Sequence, residues 1–98
     1  MKIVLKRNAE EIVLELAGRL DTTTAPALDK AILENIDETK KLILDFKELE
    51  YISSAGLRVL LSAQKKMQSN GSMKVINVCE DVMEVFEITG FADILTIE

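Results

Sequence analysis

The sequence predicts a single α/β domain: a mixed, mostly parallel sheet with an N-terminal antiparallel hairpin, covered by three main helices. Two observations predict it. Two alternating segments flank a short polar stretch at the start of the chain, which is the pattern of a hairpin. Beyond them, apolar runs of strand length alternate with helical segments, so that strand–helix–strand crossovers pair strands in parallel. The chain has 98 residues, enough for one domain over 1–98.

The elements follow in order. Lys2 to Lys6 alternates, with Ile3 and Leu5 opposed to Val4 and the lysines. Arg7 to Glu10 is a polar turn. Glu11 to Ala17 alternates again, with Ile12, Leu14 and Leu16 on one face, and Gly18 is expected to end that strand. Pro26 suits only the first turn of a helix, which places the N-cap at Thr23 or Thr24. That helix runs to about Ile36, with Leu28, Ile32 and Ile36 on its inner face. Asp37 to Lys41 is a connector. Leu42 to Phe46 is a strand whose near-continuous apolar character predicts burial on both faces. A second helix is expected from about Ala55 to Ser69, with Leu57, Leu60, Leu61 and Met67 inward and Asn70-Gly71 as its stop. Met73 to Val78 is a strand. Asp81 and Glu84 have the spacing of a capping pair for a third helix. Its inner stripe is Val82, Val85, Phe86 and Thr89, and Gly90 ends it. Ile94 to Ile97 reads as a last short strand.

Composition narrows the function. Net charge is −5 and the pI is near 4.8, which argues against nucleic acid, whose affinity comes largely from Lys and Arg on phosphates. It also argues against an anionic membrane surface. No apolar run approaches the ~18 residues of a membrane helix, and no signal peptide is evident, so a cytoplasmic protein is expected. The single cysteine, Cys79, has no internal disulfide partner, which fits a reducing setting. There is no histidine, which removes the commonest general base and metal ligand. Neither a metal nor another cofactor is expected. Asp45, Glu48 and Glu50 read as solvated charges at a strand end, and Cys79, with no basic neighbour, as an unreactive thiol.

Chemistry concentrates at Ser53-Ser54-Ala55-Gly56, the junction between the third strand and the second helix. Two readings stand side by side. A serine here can cap the helix, and replacing such a cap costs about 1 kcal/mol. The same place can hold a phosphate, because the first N–H groups of a helix are unpaired. Glycine in a first turn costs ~1 kcal/mol relative to alanine, so Gly56 suggests that a backbone or a partner comes close. Asp21 and Thr22 to Thr24 follow the second strand. If the second and third strands are neighbours, Asp21 and Ser54 share one sheet edge, where open α/β sheets commonly bind.

Three segments, in this order of elements, resemble the STAS domain, and in particular the small bacterial anti-sigma factor antagonists. They are Leu16-Ala17-Gly18-Arg19-Leu20-Asp21, then Leu44 to Leu57 with its Tyr51-Ile52-Ser53-Ser54-Ala55-Gly56-Leu57, and Phe86-Glu87-Ile88-Thr89-Gly90-Phe91. The resemblance covers nearly the whole chain. It implies a protein switch and not an enzyme. The unphosphorylated form binds an anti-sigma factor serine kinase and so frees a sigma factor. Phosphorylation of one serine weakens that binding, and a PP2C-type phosphatase restores it. The modified serine maps onto Ser54. Ser53 stands where the family usually has Asp, which removes a charge and offers a second, less favoured acceptor. Asp21 maps onto a loop acid that meets the kinase. The partner-binding surface implied is Asp21, Thr22, Thr23, Ser53, Ser54, Ala55, Gly56 and Arg58. A monomer is expected when free.

Two alternatives remain at this level. One is a STAS module that no kinase modifies, acting as a scaffold or as a subunit of a lipid-transport or other complex. The other is a small α/β enzyme, which the lack of histidine and of any nucleophile–base pair disfavours.

Overall fold

The structure is a computed structural model that describes residues 1–38 and 40–98. Its elements are β1 (Lys2–Arg7), β2 (Glu11–Leu20), α1 (Ala25–Asn35) with a 3₁₀ turn at Ile36–Glu38, β3 (Lys41–Ile52), α2 (Ser54–Asn70), β4 (Ser72–Ile76), α3 (Glu80–Thr89) and α4 (Phe91–Ile94). Thr39, in the expected connector, lies outside the described residues. The sheet order is β1-β2-β3-β4. β1 pairs antiparallel with β2, while β2–β3 and β3–β4 are parallel. The predicted mixed sheet with an antiparallel edge is therefore the observed one.

The helices cover one face. Leu14, Leu44 and Val75 are register partners across β2, β3 and β4, and all three are fully buried. They share one core with Leu28 and Ile32 of α1, Leu60 and Met67 of α2, and Val82 and Phe86 of α3. The Phe46 and Phe86 rings meet at 6.3 Å between centroids, which fixes α3 over β3. The opposite face carries Val13, Ile43 and Lys74 in register. Ile43 is buried there although it stands apart from the core, as the apolar run in β3 predicts. Asp45, two residues on, is half-buried. Its Oδ1 accepts from the Lys47 N–H at 3.0 Å and the Asn77 side-chain amide at 3.1 Å.

Two expected strand ends are corrected by bulges. β3 runs on past Phe46 to Ile52, and β2 runs past Gly18 to Leu20. The β2–β3 register slips between Glu15 and Ala17 and again between Gly18 and Arg19, with an extra residue on β3 each time. Bulges of this kind bend a strand without ending it. The residues of β3 that enter the core accordingly fall at Leu42, Leu44, Phe46, Leu49 and Ile52, a spacing of two that widens to three. Gly18 has φ +101°, a conformation that glycine adopts at little cost, and so marks the irregularity and not the end.

The remaining corrections are local. The strand expected over Ile94 to Ile97 is instead α4 followed by one parallel bridge, Ile97 to Val75. β4 ends at Ile76, where Asn77 turns into the left-handed region at φ 57°. Asp81 does not cap α3. Cys79 occupies the N-cap, Asp81 lies inside the first turn, and no side-chain cap bond forms. The Cys79 thiol points to the Leu49 carbonyl at 3.5 Å. Thr89 is exposed rather than inward, its hydroxyl donating to the Val85 carbonyl at 2.7 Å. Leu61 and Val85 are only half-buried, and Ala63 joins the core.

Candidate functional site

The parallel pairing of β2 with β3 answers the conditional raised by the sequence. Leu20 and Ile52, the last residues of the two strands, are register partners. The Ser53 N–H donates to the Leu20 carbonyl at 2.9 Å. The loop after β2 and the start of α2 therefore emerge side by side at one sheet edge.

Asp21 organises the first loop. Its Oδ1 accepts from the Thr23 N–H at 3.0 Å, the Thr23 hydroxyl at 2.7 Å and the Thr24 N–H at 3.2 Å. Short polar side chains that bond backbone two or three residues on are a common way to set such turns. These bonds hold the carboxyl below its ordinary pKa. The Thr23 hydroxyl is the largest cause, and together with the Thr23 and Thr24 backbone N–H groups and the Thr24 hydroxyl it outweighs partial burial. Thr24 is the N-cap residue of α1, as one of the two expected positions, but its hydroxyl makes no cap bond. It turns back instead, donating to the Arg19 carbonyl at 2.8 Å and accepting from the Asp21 N–H at 2.8 Å. Thr22 and Thr23 stay exposed.

The second loop separates the two serines. Ser53 is the N-cap of α2, with an extended backbone at φ −101° and ψ 176°, yet its side chain makes no cap bond. Its Oγ is buried without a hydrogen-bond partner. Ser54, the first residue of α2, is exposed. Ala55 is half-buried, and Arg58, one turn on, is exposed.

Gly56 is buried. A Cβ there would lie 2.7 Å from Leu20 Cγ and 2.9 Å from Ile52 Cγ1. The glycine is thus explained by the close approach of α2 to the ends of β2 and β3. It shapes the surface from beneath, while Ser54 and Arg58 form its upper side.

Arg19 and Tyr51 were not singled out from the sequence. They are register partners across the second bulge, and the guanidinium lies 4.0 Å from the Tyr51 ring centroid, a cation–π contact. Arg19 Nε is also 4.0 Å from Asp21 Oδ2. Both side chains are exposed beside the Asp21 loop. Only the register, which depends on the bulges, brings them together.

The STAS domain model matches residues 2–98. The chain belongs to the STAS domain family. Among curated relatives it is 30% identical over 98 residues to the anti-sigma-B factor antagonist of Bacillus subtilis, covering 99% of this chain and 90% of that one. It is 31% identical over 97 residues to the anti-sigma-B factor antagonist of Listeria monocytogenes, covering 97% of this chain and 85% of that one. These relatives set it among the anti-sigma factor antagonists of the family. Its fold is shared with an anti-sigma factor antagonist from Mycobacterium paratuberculosis (TM-score 0.87, 23% identity, 98% of this chain and 83% of that one). It is shared too with the unphosphorylated form of the anti-sigma factor antagonist SpoIIAA (TM-score 0.79, 19% identity, 99% and 87%).

STAS domains are regulatory and non-catalytic, and this chain is one of them. Among the described residues, no group of three or more His, Cys, Asp or Glu could hold a metal ion. No helix among them is long and apolar enough to cross a membrane.

Proposed function

We propose that the chain is the antagonist of a partner switch. Unphosphorylated, it binds an anti-sigma factor that is also a serine kinase, and so releases the sigma factor. The kinase transfers the γ-phosphoryl group of ATP to Ser54 Oγ; the hydroxyl proton leaves to a base of the kinase, and ADP departs. A PP2C-type phosphatase hydrolyses the ester and resets the switch.

The observation that carries this reading is the contrast between the serines. Ser54 is exposed, whereas Ser53 Oγ is buried. A kinase needs a hydroxyl it can reach, which supports Ser54 as the acceptor. Phosphorylation adds about −1.5 to −2 charges, and the start of a helix tolerates an anion. The fold therefore survives while the surface facing the partner changes. A loss of ~2.8 kcal/mol at that surface weakens a complex ~100-fold. Asp21, Thr22, Thr23, Ala55 and Arg58 complete the proposed contact surface, with Gly56 beneath it. Ser53 in place of the usual Asp favours the second reading, an unmodified STAS scaffold.

The test uses ATP, magnesium and the anti-sigma kinase encoded in the same genome. One added phosphate, mapped to Ser54 by mass spectrometry and absent in Ser54→Ala, is the expected result. An unmodified mass in a complex that still forms would leave the scaffold reading in its place.

A further inference from the structure

The inference rests on the phosphorylation of Ser54 proposed above, and concerns what the chain does with the new charge. We propose that Arg58 is the internal counter-ion of phosphorylated Ser54, closing over the phosphate from one helical turn away.

Ser54 and Arg58 are the first and fifth residues of α2. Residues four apart lie on one face of a helix, with Cβ atoms about 5–6 Å apart. Both are exposed, so neither must move out of the core to meet the other. The anion lies N-terminal to the cation, which is the favourable order for such a pair. No acidic residue occupies the first turn of α2, so Arg58 has no carboxylate on its own turn to hold it elsewhere. The intervening side chains leave the path open: Ala55 and Gly56 are small, and Leu57 is turned into the core.

The other charges at this edge are already engaged or are of the wrong sign. Arg19 is stacked on Tyr51 and directed at Asp21. Asp21 Oδ1 accepts from Thr23 and Thr24, and Oδ2 faces Arg19. Glu50 near the end of β3 and Glu80 and Asp81 at the start of α3 are acids. A guanidinium forks two parallel N–H donors onto phosphate oxygens, which a lysine ammonium cannot do. Phosphorylation then has two effects at once. It places a dianion on the surface, and it withdraws an outward-facing arginine from any partner that used it.

The test places phosphoserine at position 54 by genetic encoding, so that it does not depend on the kinase. The ³¹P chemical shift is titrated from pH 4 to pH 8 in the wild type, Arg58→Lys and Arg58→Gln. The counter-ion lowers the second pKa of the phosphate. The expected midpoint is lower in the wild type than in Arg58→Gln by about 0.3 pH unit or more. Arg58→Lys should fall between them, and high salt should shrink the gap. Arg58 is exposed, so the unmodified variants should denature at the wild-type urea midpoint. Equal midpoints for the phosphate in wild type and Arg58→Gln would overturn the proposal. If the midpoints differ but the native kinase leaves Ser54 unmodified, the pairing stands and the switch reading falls.

Discussion

Replacing Ser53 by alanine sets a sequence rule against the geometry. Serine at an N-cap normally accepts a hydrogen bond from the first turn, and its loss costs about 1 kcal/mol. In this chain the cap bond is not made, so that term is absent. What Ser53→Ala removes is a buried hydroxyl oxygen without a partner. Leaving such a group unpaired costs roughly 1–3 kcal/mol in a fully buried site. Ser53 as a residue is only half-buried, so the lower end applies, reduced by the few dispersion contacts of the lost oxygen. The expected outcome lies between no change and a gain of about 1 kcal/mol. For a domain of this size a gain of 1 kcal/mol raises Tm by roughly 4–8 °C. Urea titration reads the same quantity as a shift of midpoint at constant m. A loss of about 1 kcal/mol with unchanged m would refute the reasoning, because it would mean that the hydroxyl caps α2 after all.

The glycines give a graded series. Gly56→Ala gains ~1 kcal/mol of helix propensity but drives a Cβ to 2.7 Å from the buried Leu20 Cγ, and overpacking of that kind costs roughly 1–3 kcal/mol; a net loss of stability is expected by urea titration. Gly71→Ala should be worse, since its Cβ would run into the Lys40 carbonyl oxygen, which accepts the Ser72 N–H and is part of the β3–β4 entry. Gly90→Ala meets nothing within 4 Å and should lose only the ~1–2 kcal/mol of a left-handed residue. The Asp21 carboxyl titrates below its ordinary value of 3.8 in the folded chain. Its folded pKa is thus depressed relative to the unfolded one, so its contribution to stability is present above the unfolded pKa and is lost as pH falls through the folded pKa. Carboxyl ¹³C titration should show the low midpoint, and Thr23→Val, which removes the leading donor, should raise it.

The regular parts of the fold were legible because their periodicity was intact. Ile12, Leu14 and Leu16 alternate without interruption, and Leu28, Ile32 and Ile36 repeat at helical spacing. Reading failed where the backbone leaves its period. The alternation in β3 breaks at Lys47-Glu48 and again at Glu50-Tyr51, where the register slips, so the pattern alone ends the strand at Phe46. Gly18 reads as a terminator by composition, whereas its positive φ falls inside β2, beside the second register slip. Ile97 reaches β4 through one bridge, too little to distinguish a strand from a coil by pattern. Asp81 has capping spacing, but the chain enters α3 two residues earlier, with Cys79 at the N-cap.

Much of the site was legible for the same reason. The serine junction and the Asp21 loop are local in sequence, and the strand–helix–strand order made their adjacency a conditional that the β2–β3 pairing then met. Two things were not. The Arg19–Tyr51 stack depends on a register set by bulges. The burial of Ser53 Oγ depends on a rotamer and on the seating of α2 against Leu20 and Ile52, which no spacing encodes.

The most direct measurement is the affinity of the chain for the anti-sigma factor of the same genome, with Ser54 unmodified and with phosphoserine installed there. Isothermal titration at fixed salt gives both values. The account predicts that phosphorylation weakens binding ~100-fold or more, while circular dichroism shows an unchanged fold. Equal affinity for the two forms would contradict it.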